Sequence, residues 1–179
     1  MKIPRVAVLL SSYNGENYIR EQIESILNQS NVQIILYVRD DGSEDSTVRI
    51  INEIASANSN IIVNTGSNVG FVKSFFQLLL AADGEFYYYA FADQDDFWLP
   101  DKLSAGSAAL TIGDDFLPSM YFSRTEYVSA CLDHLSYSPI YEAKKIGFGN
   151  ALVQNIATGC TIIINQRARK LIIDKLPEK

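Results

Sequence analysis

Residues 85–103, with the sequence EFYYYAFADQDDFWLPDKL, join an apolar stretch to a helical pattern through a run of acidic residues. The apolar part, FYYYAFA, has only tyrosine hydroxyls for polarity and is typical of a buried strand. Pro100 suits the first turn of the helix that follows. Asp93, Asp95 and Asp96 therefore stand at the carboxyl end of the strand, the edge at which open α/β sheets bind ligands.

The three carboxylates of this acidic run repel each other when they are packed at one place. Two unit charges about 4 Å apart repel by roughly 4 kcal/mol at an effective dielectric constant near 20. A divalent cation bound between them offsets this cost, and hard oxygen ligands suit Mg²⁺ or Mn²⁺. The acidic run therefore predicts a site for one of these ions.

Strand and helix patterns alternate through the part of the chain that precedes residue 112. Apolar residues at helical spacing separate the predicted strands and follow the last of them. This alternation predicts an α/β fold with a parallel sheet and right-handed crossovers. The strands are predicted at Val6–Leu10, Ile34–Val38, Ile61–Val63 and Phe86–Ala92.

The alternation of strand and helix patterns stops in the last third of the chain. No linker or repeat divides the chain, so we expect one domain. The predicted elements of the last third are a longer strand, an irregular loop, a short helix, a late strand and a terminal helix. They are placed at Ser119–Val128, 131–149, Asn150–Asn155, Thr161–Ile164 and Gln166–Leu176.

Composition narrows the class of protein. The chain has 179 residues, 47% of them hydrophobic and 20% charged, which suffices for a core and argues against disorder. Its formal net charge is −6 without a cluster of Lys or Arg, so we expect no nucleic-acid partner. Cys131 and Cys160 have neither metal-ligand spacing nor a disulfide framework, which predicts a reduced, cytosolic compartment. No apolar segment approaches membrane-spanning length.

Polar or small residues follow each of the first four predicted strands. In a parallel sheet the loops after successive strands emerge at one edge, so these loops can converge on one ligand. Each loop alone is a weak signal, but four in order favour a shared functional site. The loops are SSYNG at 11–15, DDGS at 40–43, NVG at 68–70 and DQDD at 93–96.

The order of these motifs resembles that of the family 2 glycosyltransferases, which have the Rossmann-like GT-A fold. The resemblance covers nearly the whole chain and is carried by VLLSSYN at 8–14, RDDGS at 39–43, NVGF at 68–71 and DQDDFWLP at 93–100. The last motif is most similar to the bacterial rhamnosyltransferase-like branch. The resemblance implies a nucleotide-binding half at about 1–112 and an incomplete acceptor-side half at about 113–179.

The resemblance also implies roles for the first two loops. Ser11 and Tyr13 are expected to border the base and the ribose, since an aromatic ring can stack on a pyrimidine. Asp41 is expected to accept a hydrogen bond from the ring N–H of the base, with Asp40 nearby. The donor implied is a UDP- or dTDP-sugar.

The other two loops are expected to hold the rest of the donor. Asn68 and Gly70 would let the backbone approach the nucleotide closely. Asp93 would reach the ribose, and Asp95 would hold the metal on the diphosphate with help from Asp96. The metal would act as a Lewis acid on the departing nucleoside diphosphate, while the protein positions the reactants.

The implied reaction is inverting transfer of the sugar to a saccharide or lipid-linked saccharide of a bacterial surface polymer, at the cytoplasmic face of the membrane. In the family an acidic residue after the late strand deprotonates the acceptor. The chain stops at Lys179, where that region would begin, so we expect the donor site without the general base. Asp133 and Glu142 are the remaining carboxylates to consider. Trp98 is either a wall near the acceptor or a packing residue.

Two other functions stay open at this stage. A non-catalytic nucleotide- or carbohydrate-binding module would fit a missing base. A nucleotidyltransferase also uses a parallel sheet and acidic metal ligands, but it usually has a basic loop after the first strand. An aspartyl-phosphate phosphatase would need Thr in place of Phe97, and a dinucleotide fingerprint is absent.

Overall fold

The computed structural model describes residues 3–112, 116–140 and 156–176. Strands and helices alternate in its first part, as periodicity predicts: β1 (Arg5–Ser12), α1 (Ile19–Leu27), β2 (Gln33–Asp40), α2 (Thr47–Ala57), β3 (Ile61–Thr65), α3 (Phe71–Ala81), β4 (Tyr88–Ala92) and α4 (Lys102–Thr111). The elements that follow are β5 (Met120–Tyr121), β6 (Glu126–Val128), β7 (His134–Tyr137), a 3₁₀ turn (Gly159–Thr161), β8 (Ile163–Asn165) and α5 (Gln166–Asp174).

A six-stranded sheet in the order β3-β2-β1-β4-β8-β5 forms the centre of the molecule. The first four strands are parallel, whereas β8 runs antiparallel to both β4 and β5. The predicted α/β class with a mainly parallel sheet is confirmed. Because Ser12 pairs with Asp40 and Asp40 pairs with Thr65, the carboxyl ends of β1, β2 and β3 stop at one level of the sheet. The loops that follow these strands therefore emerge side by side.

Helices cover both faces of the sheet, because the buried parallel strands are apolar on both sides. One face packs against α1, α2 and α4, and the other packs against α3 and α5. Alternate residues of β1 divide between the two layers, with Val8 in the first and Leu9 in the second. A rigid two-layer core thus supports the loop edge. Within the described residues, no helix is long and apolar enough to cross a bilayer.

The prediction of one strand over Ser119–Val128 is wrong. Only Met120–Tyr121 joins the central sheet, while Glu126–Val128 pairs with β7 in a separate two-stranded ribbon. Alternating sequence patterns do not identify the partner of a strand, so the break could not be read from periodicity. The predicted loop at 131–149 contains β7 in its described part. The predicted helix at Asn150–Asn155 lies outside the described residues.

Candidate active site at the carboxyl edge of the sheet

The loop after β1 presents an aromatic ring at the sheet edge. The Tyr13 side chain is 46% exposed, and its backbone is held by the carboxamide of Gln94 in the loop after β4. Ser11 lies within β1 and forms a hydrogen bond with Ser74 of α3, with 2.6 Å between the two hydroxyl oxygens. The structure therefore leaves Tyr13 free to meet a ligand, whereas the Ser11 hydroxyl is bonded to protein.

Asp40 holds the turn that follows β2. Its buried carboxylate accepts hydrogen bonds from the Ser12 hydroxyl and from the backbone N–H groups of Gly42 and Ser43, and the Ser43 hydroxyl donates to it at 2.6 Å. Gly42 takes a positive φ of 86°, a conformation that favours glycine. These hydrogen bonds hold the conformation of the turn. The Asp40 carboxylate is thus bonded to protein groups, although it lies close to the predicted nucleotide.

Asp41 joins the loops after β2 and β3. Its Oδ1 accepts from Arg39 Nη1 at 2.5 Å and from the Val69 N–H at 2.8 Å, and its Oδ2 accepts from the Gly70 N–H at 2.9 Å. Burial opposes ionisation of this carboxylate, but the Val69 N–H, the Arg39 guanidinium and the Gly70 N–H together lower its pKa below the usual value. Asp41 is therefore an ionised acceptor, and among the described residues Oδ2 has one donor whereas Oδ1 has two.

Arg39 is the buried counter-ion of Asp41, and sequence reasoning gave it no role. Its Nε donates to Gln77 at 2.6 Å, Nη1 also reaches Ser74 at 3.2 Å, and Nη2 donates to the Ser67 carbonyl at 3.1 Å. One guanidinium thus links β2, α3 and the loop after β3. A basic residue at the end of an apolar strand, directly before two carboxylates, was the signal available in the sequence.

The loop after β3 brings backbone amides to the same edge. Gly70 has φ 83° and directly precedes α3, and its N–H also lies 3.2 Å from the Asn68 Oδ1. A Cβ on Gly70 would meet none of the described residues within 4 Å, so this backbone faces open space in the described part of the chain. Asn68 is exposed beside it. The approach of a nucleotide to Asn68 and Gly70 stays a prediction.

Two of the three carboxylates predicted to bind metal converge after β4. A carboxylate oxygen of Asp93, one of Asp96 and the Sγ of Cys160 all lie within 4.8 Å of one another. Burial, then the charges of Asp96 and Asp95, raises the pKa of Asp93 to about 6. Asp95, predicted to be the principal ligand, is exposed and stands outside this cluster, although its charge reaches both neighbours. The structure thus places Asp93 and Asp96 at the centre of the predicted ion site.

A hard divalent cation fits this cluster. Asp96 Oδ2 is buried and has no hydrogen-bond partner among the described groups, which is costly for a carboxylate oxygen unless a proton, a water molecule or an ion meets it. The thiol of Cys160 donates a hydrogen bond to Asp96, and burial followed by that carboxylate raises the pKa of the thiol. The cysteine thus remains protonated and acts as a donor to Asp96. Asp93 and Asp96 present carboxylate oxygens, which are the ligands that Mg²⁺ or Mn²⁺ prefers.

Lys102, the first residue of α4, contacts this cluster. Its Nζ donates to the Cys160 carbonyl at 2.8 Å and lies 4.6 Å from the centre of the Trp98 ring. Burial lowers the pKa of Lys102, while Cys160 and Asp96 act in the opposite direction. Trp98 is only 3% exposed and belongs to the core, which favours its interpretation as a packing residue.

Of the two carboxylates considered as a general base, the structure describes one. Asp133 is exposed in the turn between β6 and β7, where its groups bond Ser129. Glu142 falls outside the described residues. In the same ribbon His134 pairs with Glu126 at 2.6 Å. Both described acids of the ribbon, Asp133 and Glu126, are therefore bonded to groups within the ribbon.

Comparison with known proteins gives a consistent result. A sequence profile described as "Glycosyl transferase family 2" matches residues 7–167. Over 100 residues the chain is 39% identical to the dTDP-rhamnosyl transferase RfbG of Shigella flexneri, an overlap of 52% of this chain and 34% of that protein.

Solved structures resemble the fold. TarS 1–349 of S. aureus in complex with UDP is 28% identical, with a TM-score of 0.54 over 60% of this chain and 32% of that one. The mannosyltransferase PcManGT from Pyrobaculum calidifontis, in complex with GDP-Man and Mn²⁺, is 23% identical, with a TM-score of 0.54 over 62% of this chain and 33% of the other. The chain spans about a third of the length of each of these proteins.

Proposed function

Because the chain belongs to glycosyl transferase family 2, we propose that it binds a nucleotide-sugar and transfers the sugar to an acceptor hydroxyl. The observation that carries this proposal is the meeting of four loops at one edge of a GT-A sheet. They supply an exposed aromatic ring, an ionised carboxylate, an open backbone turn and a pair of converging carboxylates. These are the groups needed to hold a base, a ribose and a diphosphate together.

The nucleotide lies, in this proposal, across residues 1–112, with its base beside Tyr13. Asp41 Oδ2 accepts from the ring N–H of a uracil or thymine, both of which carry such a donor. The turn at Asn68 and Gly70 borders the nucleotide, and Asp93 faces the ribose. Residues 113–179 form the acceptor side. The dTDP of RfbG and the UDP bound by TarS make UDP- and dTDP-sugars the first donors to test.

Asp93 and Asp96, with Asp95, would hold Mg²⁺ or Mn²⁺ against the diphosphate. The ion supplies charge stabilisation for the departing nucleoside diphosphate. The protein's own contribution is positioning, because the rigid strand ends of β1, β2 and β4 set the distance between the base side and the acidic side. We propose inverting displacement at the anomeric carbon by a saccharide hydroxyl, in the synthesis of a bacterial surface polysaccharide.

The test is release of nucleoside diphosphate from UDP-glucose, UDP-GlcNAc and dTDP-rhamnose, with Mn²⁺ or Mg²⁺ and a panel of saccharide acceptors. Acceptor-dependent release of UDP or dTDP, abolished by Asp96→Asn, supports the proposal. Tight nucleotide binding without release from any donor would contradict transfer by this chain and leave nucleotide binding as its activity. Release of pyrophosphate from UTP or dTTP would indicate a nucleotidyltransferase.

A further inference from the structure

Gln94 stands between the acidic residues and reaches across to the loop after β1. Its Oε1 accepts from the Tyr13 N–H at 2.8 Å, and its Nε2 donates to the Tyr13 carbonyl at 3.1 Å. A carboxamide offers one acceptor and two donors, so it can satisfy both backbone groups of one residue, as a neighbouring strand does. Glu cannot donate to the carbonyl, and Asn is shorter by one methylene.

The rest of the loop is held from the other side. The N–H groups of Asn14, Gly15 and Glu16 donate to Ser43, Thr47 and Asp45, all in or beside the turn that leads into α2. Among the described residues, Gln94 is the one whose side chain bonds the backbone of Tyr13. The position of the exposed Tyr13 ring therefore depends on the acidic loop.

Gly15 makes room for this arrangement. A Cβ at Gly15 would lie 2.3 Å from Gln94 Oε1 and 2.6 Å from its Cδ, closer than real Cβ contacts. An alanine at this position would push the carboxamide away from Tyr13. Since the clash involves only the end of a side chain, the main cost is displacement of Gln94.

We infer that Gln94 is a positioning residue that sets the Tyr13 ring against the nucleobase and couples the base side of the site to the metal side. The inference rests on the proposed function. Gln94 is flanked by Asp93 and Asp95, so a shift of the acidic loop is transmitted to Tyr13 through two hydrogen bonds. The loop after β1 and the acidic loop are thereby held together before a nucleotide binds. Less conformational entropy is then lost when the base contacts one loop and the diphosphate the other.

The experiment is calorimetric titration of UDP in the presence of Mn²⁺, with amide hydrogen exchange of Tyr13 in the nucleotide-free chain. Gln94→Ala and Gly15→Ala, the second of which leaves the acidic run intact, are each expected to raise the Kd for UDP about tenfold, the scale of one to two lost hydrogen bonds. Exchange of the Tyr13 amide should accelerate by a similar factor. Affinity for Mn²⁺ alone should stay unchanged. Gln33→Ala is the matched control, because it removes an exposed carboxamide at the amino end of β2, the end of the strand away from the loops of the site.

Non-additivity separates positioning from general weakening of the fold. If Gln94 acts through the ring, Gln94→Ala should cause no further loss in a Tyr13→Ala background. Additive losses, or a Gln94→Ala variant with wild-type UDP affinity or unchanged Tyr13 exchange, would overturn the inference. Failure of the unmodified chain to bind UDP and dTDP would instead overturn the proposed function, and the inference with it.

Discussion

The Arg39 guanidinium and the Asp41 carboxylate form an ion pair at 2.5 Å in which each side chain is only 4% exposed. Arg39 lies near the carboxyl end of β2 and Asp41 directly follows that strand, and their remaining bonds run to α3 and to the loop after β3. A buried pair of this kind is costly to break because the remaining partner keeps an uncompensated charge. It fixes the relative position of two loops that border the proposed nucleotide.

Removing the guanidinium is expected to destabilise the fold. Arg39→Met should lower the free energy of unfolding by on the order of 3 kcal/mol, because Asp41 stays buried without its counter-ion. Urea unfolding at neutral pH measures the change. Arg49→Met is the control, since that guanidinium is 70% exposed and 3.8 Å from Glu53. The control should lose less than about 1 kcal/mol. Equal losses of unfolding free energy in the two variants would show that the buried ion pair contributes no more to stability than the exposed one.

The turn before α3 requires glycine. Gly70→Ala should destabilise the chain by about 1–3 kcal/mol and weaken nucleotide binding, because φ 83° is strained for any residue with a Cβ. Gly159→Ala is the matched control: a Cβ there also meets none of the described residues within 4 Å, but that backbone lacks a positive φ. Thermal unfolding and UDP titration compare the two. A Gly70→Ala variant as stable as Gly159→Ala would contradict the role assigned to this backbone.

Periodicity and loop position predicted much of this architecture. The first four strands and the helices between them are local patterns of buried apolar residues, and the loops that bear Tyr13, Asp41 and Asp93 follow from strand order. Contacts between residues that are far apart in the sequence could not be predicted from local patterns. Nothing in the sequence near Arg39 indicates Gln77 or Ser74, which lie on α3. Likewise, no spacing signal connects Cys160 to the acidic run, because antiparallel β8 brings the two together only in the folded sheet.

Mn²⁺ should stabilise the chain through the acidic cluster. At a hundredfold excess over its Kd, an ion that binds only the folded state adds about 2.7 kcal/mol, or roughly 5–10 °C in Tm for a domain of this size. Asp96→Asn should lose most of that increase, yet be no less stable than the unmodified chain without metal, because one repulsive charge is gone. Asp101→Asn is the control, since this carboxylate, at the start of α4, makes no capping bond. A full Mn²⁺ response in Asp96→Asn would refute the assignment.

The raised pKa of Asp93 predicts a pH dependence. In the unfolded chain this carboxyl titrates near 3.8, and in the folded chain burial and the two neighbouring charges raise its pKa to about 6. The metal-free protein should therefore lose stability as the pH rises from about 4 to about 6, with no further loss from this group above that. Below pH 6 the ion must displace a proton, so Mn²⁺ affinity should fall by about tenfold per pH unit. Asp93→Asn should remove the part of the stability change that this carboxyl causes and leave the part due to Asp96, whose pKa burial also raises. Mn²⁺ affinity that is independent of pH between 4.5 and 7 (about the range of this titration) would contradict the prediction.

We propose that one edge of the sheet binds a pyrimidine nucleoside diphosphate through a divalent ion. Calorimetric titration of the chain with UDP and with dTDP, each with and without Mn²⁺, tests it directly, and Asp96→Asn serves as the matched variant. We expect binding of at least one nucleotide that requires Mn²⁺ and is lost in Asp96→Asn. A folded chain that binds neither nucleotide, or binds them equally well without the ion and in Asp96→Asn, would contradict the claim.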